Sequence, residues 1–404
     1  MEIEFLNFIA ALAIIIVAAK TAGLISVRLG QPAVLGELLA GILLGPTFLN
    51  MLGTWPVFSE DIHLGEAIQL MAELGVLLLM MLAGLELDLG EMLNSGRAAA
   101  LSGTLGVIVP LILGYGTAVL FGLGSSEALF MGLALSATSV SISAQTLMEL
   151  DVLRTRVGLT LLGAAVFDDI LVILLLSLAA IFAGSGGGSD VTNLFITLAR
   201  IILYLAGAIL VGLFVLPRLT AIVDRLPVSQ GTLAFVLVAT LLYGWSAEAI
   251  GGIAAITGAF LVGLFLSRTP FRHDLEGGVA ALAYGFFVPI FFVSIGLSVN
   301  LRAISGGAWL FAVVLTIVAI LSKIAGSGGG ARLAGFNLLE SVRLGIGMVS
   351  RGEVGLIVAS FALSGGLLSA ENFSIAVFMV IVATLVTPPM LRYAFRDEAR
   401  TEAA

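Results

Sequence analysis

Cysteine is missing from this 404-residue chain, and lysine and histidine occur only twice each. Without thiols there is no disulfide and no thiolate metal site, and the redox compartment stays undefined. Charge is scarce as well: 11% of residues are charged, against roughly 25% in a soluble domain. The net charge of −8 comes mostly from acids at the ends of apolar stretches or inside them. No basic patch offers a surface to nucleic acid, and no motif asks for a cofactor. What is abundant is apolar surface, with 60% hydrophobic residues and a mean hydropathy of +1.17. No aqueous fold hides that much, so the chain belongs in lipid.

A spanning helix takes about 20 mostly apolar residues. Apolar stretches separated by Gly, Pro and charge predict thirteen helices: 4–27, 33–49, 66–88, 98–122, 127–150, 157–183, 192–217, 229–249, 252–267, 279–299, 307–331, 338–364 and 373–391. The first follows Glu2 and Glu4 rather than a basic segment, so it reads as a retained helix and not a signal peptide. The fold class expected is an all-α polytopic membrane protein, a single transporter unit over 1–404 with a short cytoplasmic tail at 392–404.

Arginine sets the orientation. Twelve arginines follow odd-numbered helices (Arg28, Arg97, Arg154, Arg156, Arg218, Arg225, Arg268, Arg272, Arg332, Arg392, Arg396 and Arg400), and only Arg302 follows an even one. By the positive-inside rule the N-terminus is outside and the C-terminus cytoplasmic, which an odd number of spans requires.

A weak internal repeat accompanies this. Gly36, Gly41 and Gly45 in helix 2 match Gly258, Gly263 and Ser267 in helix 9, and Gly84–Leu89 at the end of helix 3 matches Gly296–Leu301 at the end of helix 10. A shift of seven spans reverses orientation. The expectation is two inverted six-helix repeats, 1–183 and 229–391, joined by a linker helix region at 184–228. Transporters built this way bind substrate near the midplane, often on discontinuous helices. The Gly/Ser-rich 184–189 segment reads as a flexible loop, and Gly326–Gly330 as a close-packing surface inside helix 11. Gly41 and Gly45 fit either a dimer face or a packing groove.

The chemistry concentrates in the spans. Asp168 and Asp169 stand mid-helix in Gly-Ala-Ala-Val-Phe-Asp168-Asp169, where each charge costs about 2.5–3.5 kcal/mol on insertion scales. Neighbouring helical residues point about 100° apart, so one carboxylate is free to pair with a base while the other faces a water-filled path. Lys323 in helix 11 is the natural base. It is read either as a permanent neutralising partner or as a lysine that releases its proton when cation binds, and the sequence leaves both open.

Helix 5 carries Ser136, Thr138, Ser139, Ser141 and Ser143; helix 12 carries four glycines around Arg351 and Glu353. Both read as interrupted helices crossing near Asp169, with charge offsetting their half-helix dipoles. Arg351 needs an acidic partner, with Glu353, Glu73 and Glu37 as candidates. Glu86 and Asp88 read as interfacial, Lys20 as snorkelling, and His63 and His273 as loop residues.

The combination of Gly-Ala-Ala-Val-Phe-Asp168-Asp169, Thr138-Ser139, Leu-Ser-Lys323 and Met-Val-Ser-Arg351-Gly-Glu353 resembles the bacterial sodium/proton antiporters of the second monovalent cation:proton antiporter family. The resemblance covers essentially the whole chain. It implies a homodimer in the bacterial inner membrane, with a dimerisation domain, a mobile core holding two crossed broken helices, and elevator-like exchange of a monovalent cation for protons. By that resemblance Asp169 is the carboxylate that binds Na+ transiently or a proton, Asp168 partners Lys323, and Thr138 and Ser139 belong to the unwound crossing. Potassium-efflux relatives commonly have Gln-Asp and a nucleotide-binding domain, so Na+ or Li+ is favoured over K+, with electrogenic exchange. A sodium-coupled organic-anion symporter, an intramembrane aspartyl protease and a channel are the rivals.

Overall fold

The computed structural model describes residues 2–29, 31–59, 61, 63–86, 96–182, 190–298, 300, 302 and 306–396. The 184–189 segment, Asp88 and the end of the tail lie outside the described residues, as do the side chains of Glu86 and Glu353. Among the described residues the chain is helical, with no strand. Ten helices among the described residues are long and apolar enough to cross a membrane, and three shorter apolar ones accompany them.

In chain order they are α1 (Glu2–Arg28), α2 (Ala33–Leu44), α3 (Leu64–Glu86), α4 (Gly96–Leu120), α5a (Ser125–Ser136), α5b (Val140–Glu149), α6 (Arg156–Phe182) and α7 (Asp190–Phe214). There follow α8 (Gly231–Gly251), α9 (Ala255–Leu266), α10 (Arg272–Leu297), α11 (Trp309–Leu333), α12a (Leu338–Gly347), α12b (Glu353–Ser364) and α13 (Ala370–Ala394).

Some boundaries differ from the hydropathy reading. Helix 2 stops at Leu44 because Gly45-Pro46 follows, and the chain turns into a four-residue helix, Met51–Thr54. The tenth helix starts at Arg272 and not near 279; its first turns are charged, so a hydropathy window passes over them. His273 is therefore helical, a correction to its placement in a loop. Pro217 ends α7, and a separate helix, Leu216–Asp224, follows. Both α8 and α10 contain a π-helical turn, at Ala247–Gly251 and Ala283–Phe287.

Packing sorts the helices into two groups. One contains α1, α2, α3, α8, α9 and α10; the other contains α4, α5, α6, α11, α12 and α13; α7 touches α6 of the second and α8 of the first. Glycine permits the closest approaches within each. A methyl group on Gly36 would lie 2.2 Å from the Ala22 carbonyl oxygen of α1, and one on Gly41 2.2 Å from the Val293 carbonyl oxygen of α10. The matching residues of α9 do the same elsewhere. A methyl on Gly258 would lie 2.3 Å from the Tyr243 carbonyl oxygen of α8, and one on Gly263 2.0 Å from the Met81 carbonyl oxygen of α3. Gly41 thus serves a groove inside the chain. In the second group methyl groups on Gly326 and Gly330 of α11 would lie 2.4 and 2.5 Å from the Leu105 and Leu101 carbonyl oxygens of α4, so the glycine run is a packing surface as expected. Facing outward are Phe195, Ile202, Leu203 and Leu210 of α7, all exposed and apolar, as lipid requires.

Candidate functional site

The two interruptions predicted in helices 5 and 12 are present and meet. Between α5a and α5b, Ala137–Ser139 leave the helix; between α12a and α12b, Met348–Gly352 do. The unwound strands bind each other reciprocally. The Ser139 amide donates to the Ser350 carbonyl at 3.0 Å, and the Ser350 hydroxyl donates back to the Ser139 carbonyl at 2.5 Å. Ser143 joins them, donating to the Gly347 carbonyl at 2.5 Å with its Oγ 2.8 Å from that of Ser350. A methyl on Gly352 would come within 2.6 Å of the Ser139 side chain. The glycine is there for close approach, its backbone being extended. Backbone groups freed by breaking a buried helix must find partners, and these serines supply them.

Four helix ends converge here: the C-termini of α5a and α12a, and the N-termini of α5b and α12b. Arg351, fully buried, donates from Nη1 to the Met348 carbonyl at 3.1 Å and from Nη2 to the Ala319 carbonyl of α11 at 3.2 Å. Thr384 of α13 donates to the Arg351 carbonyl. The guanidinium thus stands at the negative end of α12a, where a cation is stabilised. Its expected acidic partners are elsewhere: Glu37 pairs with Lys20 at 3.5 Å, and Glu73 accepts from Gln69 on α3 at 3.5 Å. The carboxylate whose field reaches Arg351 is Asp168. Only the side chain of Glu353 escapes placement, lying outside the described residues.

Asp168 and Lys323 form the ion pair expected from the sequence. Nζ donates to Oδ1 at 2.7 Å, and both side chains are 0% exposed. Asp169, one residue on, is 5% exposed and lines a small cavity with Val140, Leu162, Ala165 and, from the other helix group, Met80, Ile256, Thr257 and Phe260. Asp169 therefore lies between the two groups, next to the first residue of α5b. Thr138, in the crossing, has a buried hydroxyl with no hydrogen-bond partner among the described residues; the Ser139 hydroxyl is 3.0 Å from that of Ser141. No cluster of three or more His, Cys, Asp or Glu able to hold a resident metal occurs among the described residues. An adjacent Asp pair whose first member is bound to lysine does not converge on one water, as aspartyl proteolysis requires.

A cleft of about 1050 Å³ separates the groups beside this cavity, and Ile256 lines both. Glu73, Trp245, Glu248, Phe291 and Gly352 are among its walls. At the opposite end of α5b the gap is bridged. The Glu149 carboxylate accepts from the Ala33 amide at the start of α2 at 2.6 Å and from Gln145 at 2.8 Å.

The family described as sodium/hydrogen exchanger, transmembrane, matches residues 13–396. The chain belongs to the sodium/hydrogen exchanger family. It is 42% identical over 99% of both chains to the Na(+)/H(+)-K(+) antiporter GerN of Bacillus cereus. It is also 36% identical, over 96% of this chain and 98% of the other, to the Na(+)/H(+) antiporter of Enterococcus hirae. The solved sodium proton antiporter MjNhaP1 of Methanocaldococcus jannaschii shares the fold, with a TM-score of 0.71, 17% identity and 98% of each chain covered.

Sequence reasoning did not single out four residues of this exchanger. Thr257 faces the Asp169 cavity from α9, but a lone threonine in an apolar run carries no signal. Gln145 and Glu149, four apart on α5b, were legible as a helical pair without the target across the gap. Arg200, inside α7, donates to the Ile250 and Ala249 carbonyls at the end of α8; only a count of arginines inside spans would have exposed it.

Proposed function

We propose that the chain is a monovalent cation/proton antiporter in which Asp169 alternately holds the cation and a proton. The observation that carries the reading is the placement of the two aspartates. Asp168 is tied to Lys323 at 2.7 Å, while Asp169, beside the unwound crossing, lines the cavity between the helix groups. One carboxylate is neutralised in place; its neighbour is left to exchange ligands. Carboxylate, hydroxyl and carbonyl oxygens suit a hard monovalent cation. When cation binds, Lys323 or Asp169 gives up protons; when they are reprotonated, the cation leaves.

The mechanism proposed is an elevator. The group holding α4, α5, α6, α11, α12 and α13 moves against the other, and moves only with Asp169 occupied, because a bare carboxylate crosses a low-dielectric barrier at high cost. The inverted repeats, 1–183 and 229–391 about the 184–228 linker, draw support from equivalent contacts. Gly36 and Gly41 pack α2 on α1 and α10, and Gly258 and Gly263 pack α9 on α8 and α3, each seven spans apart. We further propose thirteen spans in a bacterial plasma membrane, N-terminus outside, as a homodimer. In that orientation the wide cleft faces outward and the Glu149–Ala33 bridge closes the cytoplasmic side. Release of more than one proton per cation would make exchange electrogenic.

Na+ or Li+ is the proposed cation. Potassium is the second reading, favoured by the name of the Bacillus cereus relative, a Na(+)/H(+)-K(+) antiporter. Proteoliposomes holding a pH gradient, with Na+, Li+ and K+ added in turn, test it: dequenching of a pH dye by one or more of these ions is the expected result. Failure of all three to move protons would refute antiport, and flux above about a thousand ions per second would indicate a channel.

A further inference from the structure

Two buried serine hydroxyls in the seam between α4 and α11 differ from the threonine hydroxyls of the membrane helices. Thr117, Thr146, Thr160, Thr240, Thr316 and Thr387 each donate to a carbonyl four residues back on their own helix, at 2.7–2.8 Å. This is the ordinary resting place for a hydroxyl in an apolar helix. Ser102 of α4 and Ser327 of α11 are 0% exposed, and neither Oγ has a hydrogen-bond partner among the described residues. Leaving a buried hydroxyl unpaired costs about 1–3 kcal/mol, so two in one seam point to a use.

Their placement gives one. Lys323 and Ser327 are one turn apart on α11. Ser102 and Gly106 are one turn apart on α4. The helices run antiparallel, Gly326 against Leu105 and Gly330 against Leu101 and Ser102. The point where Gly106 would carry a methyl lies 2.2 Å from Ser327 Oγ and 3.6 Å from Lys323 Nζ. Glycine at 106 therefore makes room for the Ser327 hydroxyl on the side of α11 that carries the ammonium. From Ser102 the start of α4 at Gly96 is six residues, about 9 Å along the axis, and Arg97 marks that end. The charged groups acting on Lys323 are Asp168, Asp169 and Arg351. They come from α6 and α12, leaving the α4 seam as its uncharged approach.

We propose that Ser102 and Ser327 relay protons between Lys323 and the Arg97 end of α4; the inference rests on Lys323 being a proton carrier, as in the function proposed above. Because neither Oγ bonds the other or Lys323 directly, water must link the steps: each hydroxyl accepts a proton on its lone pair and passes its own through water to the next acceptor. Solvent water at the helix end gives up one proton, both serines emerge unchanged, and the neutral Lys323 amine becomes ammonium. Release runs the same path in reverse. Ser102 and Ser327 are positioning residues, touching neither the cation nor Asp169.

The test uses the full chain in proteoliposomes, with Na+ as the probe. Ser102→Ala/Ser327→Ala should lower the maximal exchange rate about tenfold, the low end of what a lost proton-transfer group costs being nearer a hundredfold. Its half-saturating Na+ concentration should stay unchanged. Ser327→Thr, which restores the hydroxyl, should recover most of the rate. Wild-type rate in the double alanine variant, alongside a slowed Lys323→Gln, would overturn the relay alone. A threonine variant as slow as Ser327→Ala would reduce the hydroxyl to packing and overturn it too. Wild-type pH dependence in Lys323→Gln would instead sink the reading of Lys323 beneath it.

Discussion

At the residue scale, the Asp168–Lys323 pair decides how much charge this core tolerates. Two ions fully out of water are held chiefly by each other, with the charges of Asp169 and Arg351 nearby, so removing one strands its partner. Lys323→Gln should destabilise the protein by about 3–5 kcal/mol, read as a lowered Tm in detergent. Lys323→Gln with Asp168→Asn should recover most of that loss, and a double variant no more stable than the single would contradict the pairing. These residues were legible in the sequence because charge inside an apolar run is costly enough to demand an explanation. The partner of Arg351 was not. A guanidinium has five donors, and here two backbone carbonyls take the place of a carboxylate, one at the broken end of α12a and one on α11, while Nε has no partner among the described residues. Composition alone assigns Arg351 an acid; the geometry gives it Met348 and Ala319.

At the scale of elements, glycine determines which helices touch. Gly263→Ala would drive a methyl to 2.0 Å from the Met81 carbonyl oxygen, and backbone on both sides leaves little room to yield. The expected cost is about 1–3 kcal/mol of overpacking. Gly116→Ala on α4 meets nothing within 4 Å and should be neutral or stabilising by up to about 1 kcal/mol. Thermal unfolding of the two variants checks both signs, and equal Tm values would contradict the packing argument. The interruptions of helices 5 and 12 were readable as excess hydroxyls and glycines. Their reciprocal pairing through Ser139 and Ser350 was not, since nothing in either segment names the other. Helix ends were read least well where charge continues a helix past the apolar layer, as at Arg272–Glu276.

At the scale of the whole molecule, two helix groups meet along a seam that is open on one side of Asp169 and bridged by Glu149 on the other. If the groups move past each other in transport, that bridge must break in every cycle. The absence of native cysteine makes the test clean. Glu149→Cys with Ala33→Cys, joined by a bifunctional thiol reagent, should stop exchange, and cleaving the linker should restore it; undiminished exchange while joined would rule out relative movement at this seam. The division into two groups was implied by family resemblance, whereas the side on which the seam stands open depends on conformation, which sequence does not encode. The central claim is that one carboxylate serves both ligands, and it is tested most directly by titrating purified protein with NaCl in weakly buffered solution while following pH. The account predicts proton release that saturates with Na+ binding and vanishes in Asp169→Asn. Undiminished release from Asp169→Asn, or Na+ binding by the unaltered protein with no proton released at any pH, would contradict it.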